Sequence, residues 1–181
     1  MANDPEASSQ ANNKIDSFVV GIGASAGGIG PLREFFSHVN EDSGMAYVVI
    51  LHLSAEHESS LPELLQSRTK LPVTQVRDPV KVEPNHVYVI PPAKYLMMSD
   101  GMIRLTEPER SRGHHTSIDL FFRTLADAYG KDAIAIVLSG VGADGTIGLG
   151  RIKEQGGFAI AQDPAEAEYD SIPRSAIDAG L

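Results

Sequence analysis

Residues 18–28, FVVGIGASAGG, decide the fold of this chain. They begin with a short apolar run, continue into a glycine-rich turn and lead into an amphipathic stretch over residues 32–39. A second apolar run follows at residues 47–51. A buried strand, a tight turn, a helix and another strand in this order are typical of a βαβ unit, in which the two strands are parallel.

The same alternation continues to the end of the chain. It predicts helices near residues 61–68, 117–129, 146–155 and 173–179, and strands near residues 73–76, 133–138 and 158–161. Strands that are apolar along their whole length are typical of a sheet buried on both faces. We therefore predict an α/β fold, a doubly wound, mostly parallel sheet with helices on both faces.

One segment departs from this pattern. Three apolar runs, at residues 86–90, 95–98 and 102–105, are separated by Pro91-Pro92 and by Asp100-Gly101. Asp-Gly between apolar runs is a strong hairpin signal, because both residues tolerate the positive φ that a tight hairpin turn needs. A small antiparallel β-hairpin excursion is expected over these three runs.

Composition excludes several classes of protein. The 181 residues, 42% of them hydrophobic, suit one globular domain, and the absence of cysteine rules out a thiol nucleophile or a thiolate metal site. The longest strictly apolar run, residues 133–138, is far shorter than the roughly 20 residues that span a bilayer. A net charge of −9 without a Lys/Arg cluster argues against nucleic acid and anionic lipid as partners. We expect a cytoplasmic protein with no membrane insertion.

The glycine-rich turn fits two kinds of site. Gly21, Gly23 and Ala26 match the Gly-x-Gly-x-x-Gly/Ala pattern of dinucleotide-binding folds. Residues 23–27, GASAG, equally match the Gly-x-Ser-x-Gly nucleophile elbow, in which small flanking residues allow a sharp turn that exposes the hydroxyl of Ser25. A tight turn that only packs helix on sheet is the third interpretation.

The second strand weakens the dinucleotide interpretation. Such a site needs an acidic residue at the end of that strand, about 20 positions further on. Here the strand ends at His52, whereas Glu41 and Asp42 fall before it, on the wrong edge of the sheet. A serine nucleophile needs a base, which His52 could supply, although a lone histidine is more often structural.

A third glycine-rich turn, residues 139–146 (SGVGADGT), contains Asp144. By itself Asp144 would most often be an N-cap or an Asx-turn residue. In a parallel sheet, however, all strand ends followed by helices lie at one edge, where such folds build their sites. Ser25, His52 and Asp144 are therefore expected to meet as nucleophile, base and orienting carboxylate, in a chain order that differs from that of α/β-hydrolases.

These motifs together resemble the catalytic domain of the chemotaxis protein-glutamate methylesterases (CheB-like), from about residue 17 to residue 180. The resemblance also rests on residues 87–92 (VYVIPP), 117–123 (SIDLFFR) and 161–163 (AQD). It implies that Ser25, His52 and Asp144 form the catalytic triad. It further implies hydrolysis of glutamate methyl esters on the cytoplasmic helices of chemoreceptors, with glutamine deamidation as a related activity and with no cofactor and no metal.

Backbone N–H groups near Ala26 or Val141 are the candidates for the oxyanion hole. The family often has threonine at the position of Ala26 and methionine at that of Val141, so the chain departs from its pattern next to the oxyanion. Three further histidines match no metal-site spacing and are interpreted as exposed loop residues, namely His57, His114 and His115.

Residues 1–16 are polar and without periodicity, and we predict a disordered leader or linker there, followed by a methylesterase catalytic domain over residues 17–181 with a truncated C-terminus. The family usually carries a receiver domain before the catalytic domain, and the resemblance covers only the latter, so receiver, methyltransferase or sensory domains are expected partners in a longer protein. Two other hypotheses remain, a non-catalytic signalling module that binds receptor or partner domains, and a dinucleotide-binding domain.

Overall fold

The computed structural model describes residues 15–52, 55–108 and 116–181. Within these ranges the strands are β1 (Val19–Ala24), β2 (Ala46–Leu51), β3 (Val73–Gln75), β4 (Val80–Lys81), β5 (His86–Val89), β6 (Tyr95–Ser99), β7 (Met102–Thr106), β8 (Ala133–Val137) and β9 (Phe158–Ala161). The helices are α1 (Ile29–His38), α2 (Ala55–Gln66), α3 (Ser117–Tyr129), α4 (Thr146–Glu154) and α5 (Ser171–Asp178), with a 3₁₀ turn at Gly130–Asp132.

Six strands form the main sheet in the order β3-β5-β2-β1-β8-β9, and every neighbouring pair is parallel. All six residues of β1 and all six of β2 are buried, as their uninterrupted apolar composition predicts. The doubly wound, mostly parallel α/β fold predicted from the sequence is confirmed.

Alternate residues of the strands feed two core layers. On one face, Val20 and Ile22 of β1 pack with Leu32 and Phe36 of α1 and with buried leucines of α2. On the other face, Val19 lies in the layer that α3, α4 and α5 complete. The layer under α3 contains four aromatic and aliphatic residues that lie on one face of this helix, Ile118, Phe121, Phe122 and Leu125.

Two neighbouring strands, β1 and β8, are followed by helices on opposite faces of the sheet. β1 is followed by α1 on one face and β8 by α4 on the other, although the two strands are hydrogen-bonded neighbours. Loops that diverge in this way leave a crevice at the carboxyl ends of the strands, and open α/β sheets bind their ligands at such switch points. The fold therefore marks the carboxyl ends of β1 and β8 as the place to look for a site.

The predicted hairpin is present, but it is smaller than expected. β6 and β7 pair antiparallel around Asp100 and Gly101, whose φ angles of 54° and 72° suit a tight hairpin turn, and β4 pairs with β7. β5 (His86–Val89) instead joins the main sheet in parallel between β3 and β2. Three consecutive buried residues in β5 are typical of a central parallel strand, which corrects its assignment to the hairpin.

Several boundaries lie a few residues from their predicted positions, with α2 beginning at Ala55 and α5 at Ser171. Of the predicted leader, residues 1–14 lie outside the described residues, and Ile15 packs against the core. The domain boundary near residue 17 remains a prediction. His114 and His115 also lie outside the described residues, whereas His57 belongs to α2 and not to a loop, although its side chain is not described. Among the helices of the described ranges, none is long and apolar enough to cross a membrane.

Candidate active site

Ser25 follows β1 directly, in a turn that is locked against the end of β8. Its N–H donates to the carbonyl oxygen of Ser139 at 3.0 Å, and its own carbonyl accepts the N–H of Gly28 at 2.9 Å. Gly27 has a φ of +73°, and a Cβ at this position would lie 2.7 Å from Oγ of Ser139. The elbow therefore requires glycine at position 27, for conformation as well as for space.

Ser139 is a buried polar residue that the sequence did not single out. Its hydroxyl lies 3.0 Å from the carbonyl oxygen of Ala26 and 3.3 Å from that of Tyr169, and it accepts the N–H of Tyr169 at 2.9 Å. Its N–H donates to Oε1 of Gln162 at 2.8 Å. Ser139 thus ties the turn that carries Ser25 to the loop between β9 and α5. A serine directly after a buried strand was the available signal.

His52 comes immediately after β2, the other neighbour of β1. Its N–H donates to the carbonyl oxygen of Ala24 at 3.1 Å and so extends the ladder between β1 and β2 by one residue. Its carbonyl oxygen accepts the hydroxyl of Ser25 at 3.2 Å. The predicted nucleophile and the predicted base are therefore neighbours across the edge of the sheet.

Asp144 lies in the turn between β8 and α4, yet its carboxylate binds a different helix. Oδ2 accepts the N–H of Ile118 at 3.1 Å, and Oδ1 accepts that of Asp119 at 2.9 Å. Both N–H groups belong to the first turn of α3, where no intrahelical acceptor exists for them. Asp144 is a helix cap, as the structural alternative in the sequence predicted, but it caps α3 and not α4.

Burial raises the pKa of Asp144 to about 6, because a partly desolvated carboxylate favours its neutral form. The N–H groups of Asp119 and Ile118 act in the opposite direction, and the negative charge of Asp119 adds to the increase. Burial also raises the pKa of Asp119, against N–H groups of α4 and the charge of Arg123. Shifted carboxyl pKa values in a cleft are characteristic of functional sites.

A cavity of about 390 Å³ brings the three predicted triad residues together. Val141, one of the two oxyanion candidates, also lines it and is 59% exposed. Ala26, the other candidate, is not among the lining residues, and its carbonyl oxygen faces the hydroxyl of Ser139. The lining consists of Ser25, His52, Thr116, Ile118, Asp119, Val141, Gly142, Ala143, Asp144 and Ile172.

The cavity also contains residues that the sequence did not assign to the site. Ile172, the second residue of α5, donates its N–H to the carbonyl oxygen of Gly140 at 3.1 Å, which brings α5 to the edge of the cavity. Asp119 is only 8% exposed, and buried carboxylates are rare unless they are paired or hydrogen-bonded. An aspartate between two apolar residues, in the first turn of α3, was the signal that could have identified it.

Other kinds of site receive less support. Within residues 15–52, 55–108 and 116–181, His, Asp and Glu side chains form no group of three or more that could hold a metal ion. Glu41 and Asp42 precede β2, which starts at Ala46, so they lie at the edge of the sheet opposite the glycine-rich turn. A ribose held at the carboxyl end of β2 would find neither of them in the position that dinucleotide-binding folds use.

A doubly wound α/β domain with a cavity over the carboxyl ends of β1, β2 and β8 is the class of protein that this geometry defines. The chain belongs to the CheB methylesterase family, whose model matches residues 20–181. The family membership and the enzyme class inferred from the sequence are thereby confirmed. The match covers all three strand ends that contribute to the cavity.

Individual proteins agree with this assignment. The crystal structure of the Thermotoga maritima CheB methylesterase catalytic domain has a TM-score of 0.85 at 28% identity, covering 92% of this chain and 90% of that one. A putative protein-glutamate methylesterase/protein-glutamine glutaminase of Leptospira interrogans is 32% identical over 87% of this chain and 82% of its own length.

The relatives differ widely in length. An uncharacterized 104.1 kDa protein of Rhodobacter capsulatus is 42% identical over 67% of this chain, and the match spans 13% of that protein. The chain also spans about half the length of several curated protein-glutamate methylesterases. The same domain is thus found in proteins of very different size.

Proposed function

We propose that this chain is a serine hydrolase that removes methyl groups from glutamate methyl esters on the cytoplasmic helices of chemoreceptors, and that it deamidates selected glutamines there. One observation carries the proposal, namely that Ser25, His52 and Asp144 line one cavity. The names of the relatives, protein-glutamate methylesterase/protein-glutamine glutaminase, support this substrate class. The reaction belongs to adaptation in chemotaxis, and the protein acts in the cytoplasm.

The first half of the reaction forms an acyl-enzyme. Neutral His52 takes the proton of the Ser25 hydroxyl while Oγ attacks the ester carbonyl carbon. In the structure the Ser25 hydroxyl donates to the backbone carbonyl oxygen of His52 at 3.2 Å. During the reaction the hydroxyl turns to the imidazole of His52 and gives its proton to it. The tetrahedral intermediate then loses methoxide, which leaves as methanol with the proton from His52.

The second half regenerates the enzyme. Water attacks the acyl carbonyl, His52 takes its proton and returns it to Oγ of Ser25, and the side chain leaves as a free glutamate. With glutamine as substrate, the first leaving group is ammonia. Asp144, held by two N–H groups of α3, keeps the imidazole in the useful tautomer and stabilises the imidazolium that forms.

The oxyanion is the point at which this chain departs from its family. We propose the backbone N–H groups near Val141 and Ala26 as its donors, and Val141 has the stronger support because it lines the cavity. A single donor of this kind contributes about 10² to 10³ in rate in other hydrolases. In a longer protein, receiver, methyltransferase or sensory domains are the proposed partners that control access to this cavity.

The decisive experiment measures methanol release from methyl-labelled receptor by the wild type and by Ser25→Ala. The substitution should abolish release above background, and a fluorophosphonate should label the wild type but not the variant. Ser37→Ala is the matched control, since Ser37 lies exposed on α1 with hydrogen bonds inside that helix, and it should keep full activity.

Unchanged methanol release from Ser25→Ala would contradict the proposal. Absence of labelling together with retained receptor binding would favour the signalling module instead. A shift of the melting temperature with nicotinamide or flavin nucleotides would revive the dinucleotide-binding hypothesis.

A further inference from the structure

The N-termini of α3 and α4 are capped reciprocally, each by an aspartate from the segment of the other helix. Asp144, in the turn that leads into α4, accepts the N–H groups of Ile118 and Asp119 at the start of α3. Asp119 lies in the first turn of α3, and Oδ1 of its carboxylate accepts the N–H of Gly148 in the first turn of α4 at 2.8 Å. Each aspartate therefore caps the helix that the other one belongs to or precedes.

These hydrogen bonds give both helix N-termini the acceptors that their first N–H groups lack within the helix. The first N–H groups of a helix have no intrahelical partner, and the positive end of the helix dipole favours a negative charge. A side chain that caps its own helix holds only that helix, whereas this pair couples the position of one helix end to the position of the other. The turn that carries Asp144 is consequently fixed from two directions.

The packing between the helices is close enough to make this coupling stiff. A Cβ at position 148 would lie 2.5 Å from Cβ of Phe122 and 3.1 Å from the carbonyl oxygen of Asp119. A Cβ at Gly145, beside Asp144, would lie 2.8 Å from Cγ2 of Ile118. Only glycines at these two positions allow the approach, and the approach brings Asp119 within hydrogen-bond distance of α4.

We infer that Asp119 is a positioning residue for Asp144, which holds the turn between β8 and α4 so that the Asp144 carboxylate stays in the cavity with His52. This inference rests on the proposed function for its effect on rate. The structural part of the inference rests only on the hydrogen bonds that the two aspartates accept from α3 and α4. Asp119 also lines the cavity, so its own charge acts on the same site.

The charged groups around Asp119 and Asp144 determine in which direction the pKa of Asp144 should change when Asp119 is replaced. Asp119 raises the pKa of Asp144 as a neighbouring like charge, and Arg123 of α3 acts on Asp119 in the opposite direction. His52 faces the same cavity from the end of β2. Removal of the negative charge at position 119 therefore lowers the pKa of Asp144.

Two substitutions separate the hydrogen bond of Asp119 from its charge. Asp119→Ala removes both, and we expect kcat to fall about 10- to 100-fold with KM changed less than about threefold, because a misplaced orienting group costs rate and not binding. Asp119→Asn keeps an oxygen for the N–H of Gly148, and we expect it to keep most of kcat while the acid limb of the pH profile moves to lower pH.

Ile152→Ala is the matched control. Ile152 is fully buried on α4 and touches the core rather than the cavity, so its truncation weakens the same helix without changing either carboxylate. Its kcat per folded molecule and its pH profile should equal those of the wild type. Folded fractions come from thermal unfolding of each variant in the full chain.

A second readout is independent of any activity. Amide hydrogen exchange should show that residues 118, 119 and 148 lose protection in Asp119→Ala and retain it in Asp119→Asn, and NMR of labelled aspartate should show a lower pKa of Asp144 in Asp119→Asn. Unchanged protection of residues 118 and 119 in Asp119→Ala would overturn the positioning role. Equal kcat losses in Asp119→Ala and in Ile152→Ala would do the same. Failure of the proposed function alone would leave the exchange pattern as expected and abolish only the rate effects.

Discussion

The hydroxyl of Ser139 lies 3.0 Å from the carbonyl oxygen of Ala26, the residue directly after the predicted nucleophile. Ser139 is fully buried at the end of β8, and its backbone carbonyl accepts the N–H of Ser25 at 3.0 Å. One residue therefore holds the nucleophile turn through both its backbone and its side chain.

Replacing Ser139 by alanine should reduce both stability and activity. The variant removes the fully buried hydroxyl of Ser139 and leaves the N–H of Tyr169 without its acceptor, and the loss of such a hydrogen bond costs about 1–3 kcal/mol. Urea unfolding should show this decrease in the free energy of unfolding, and fluorophosphonate labelling of Ser25 should slow. Ser37→Ala is the exposed counterpart and should change stability by less than about 0.5 kcal/mol. Equal stability of the two variants would contradict the prediction.

Two glycine substitutions near α1 should act in opposite directions. Gly27→Ala forces a side chain into a φ of +73° and against Oγ of Ser139, and should destabilise the fold by about 1–3 kcal/mol. Gly30→Ala introduces a methyl group with no atom within 4 Å inside α1, and should stabilise the fold by about 0.5–1 kcal/mol. Thermal unfolding of both variants distinguishes the signs, and a stable Gly27→Ala would show that the turn tolerates a side chain.

A similar pair tests the contact between α3 and α4. Gly148→Ala pushes a methyl group against Phe122 and the backbone of Asp119, and overpacking of this kind costs about 1–3 kcal/mol. Gly150→Ala, in the same helix, would meet only the end of the Leu181 side chain at 3.9 Å and should be neutral or stabilising. Because Gly148 donates to Asp119, we expect Gly148→Ala also to lower kcat. Full activity in Gly148→Ala at equal folded fraction would argue against that coupling.

The pH dependence of kcat/KM should have an acid limb with its midpoint within about one unit of pH 6. The pKa of Asp144 is raised to about 6, and the proposed mechanism needs its carboxylate, so activity should be present above this pH and should be lost as pH falls through it. Initial rates between pH 4.5 and 9 test this, and constant activity down to pH 4.5 would contradict it.

The same shift has the opposite sign for stability. The folded-state pKa of Asp144 lies above its ordinary value of 3.8, so ionisation is harder in the folded protein than in the unfolded chain. The neutral form contributes its stability fully below pH 3.8, and that contribution is lost as pH rises towards 6. Above about pH 6 Asp144 is charged at a cost in stability, and the charged form is the one that its proposed role in catalysis needs.

The sequence predicted what depends on local pattern and on strand order. Apolar runs and glycine-rich turns identified β1, β2 and β8, and the rule that parallel strand ends share an edge brought Ser25, His52 and Asp144 to one cavity. It could not predict that β5 joins the main sheet, because a short apolar run is compatible with both a hairpin and a central strand. That choice depends on the partners β3 and β2, which are distant in the chain.

The supporting residues were missed for a related reason. Asp119 and Ser139 act on elements from other parts of the chain, and their residue types in isolation are those of an ordinary helix start and an ordinary loop. The cap formed by Asp144 shows the same limit, since the aspartate was recognised as a possible cap, but the two N–H groups of α3 that it accepts are 26 and 25 residues away in the chain. The local sequence pattern therefore predicts which chemistry a side chain can perform better than it predicts which distant residue that side chain contacts.

The contact between Ser139 and Ala26 joins positions 113 residues apart. Contacts of such long sequence separation form late, because the intervening chain must first be ordered. During synthesis, β1, β2 and even α3 therefore leave the ribosome before Ser139 is available to form its hydrogen bonds with the turn that carries Ser25. A chain that ends before β8 carries Ser25 and His52 but neither Ser139 nor Asp144, so the cavity that these strand ends form together cannot assemble until β8 and the turn after it have been made.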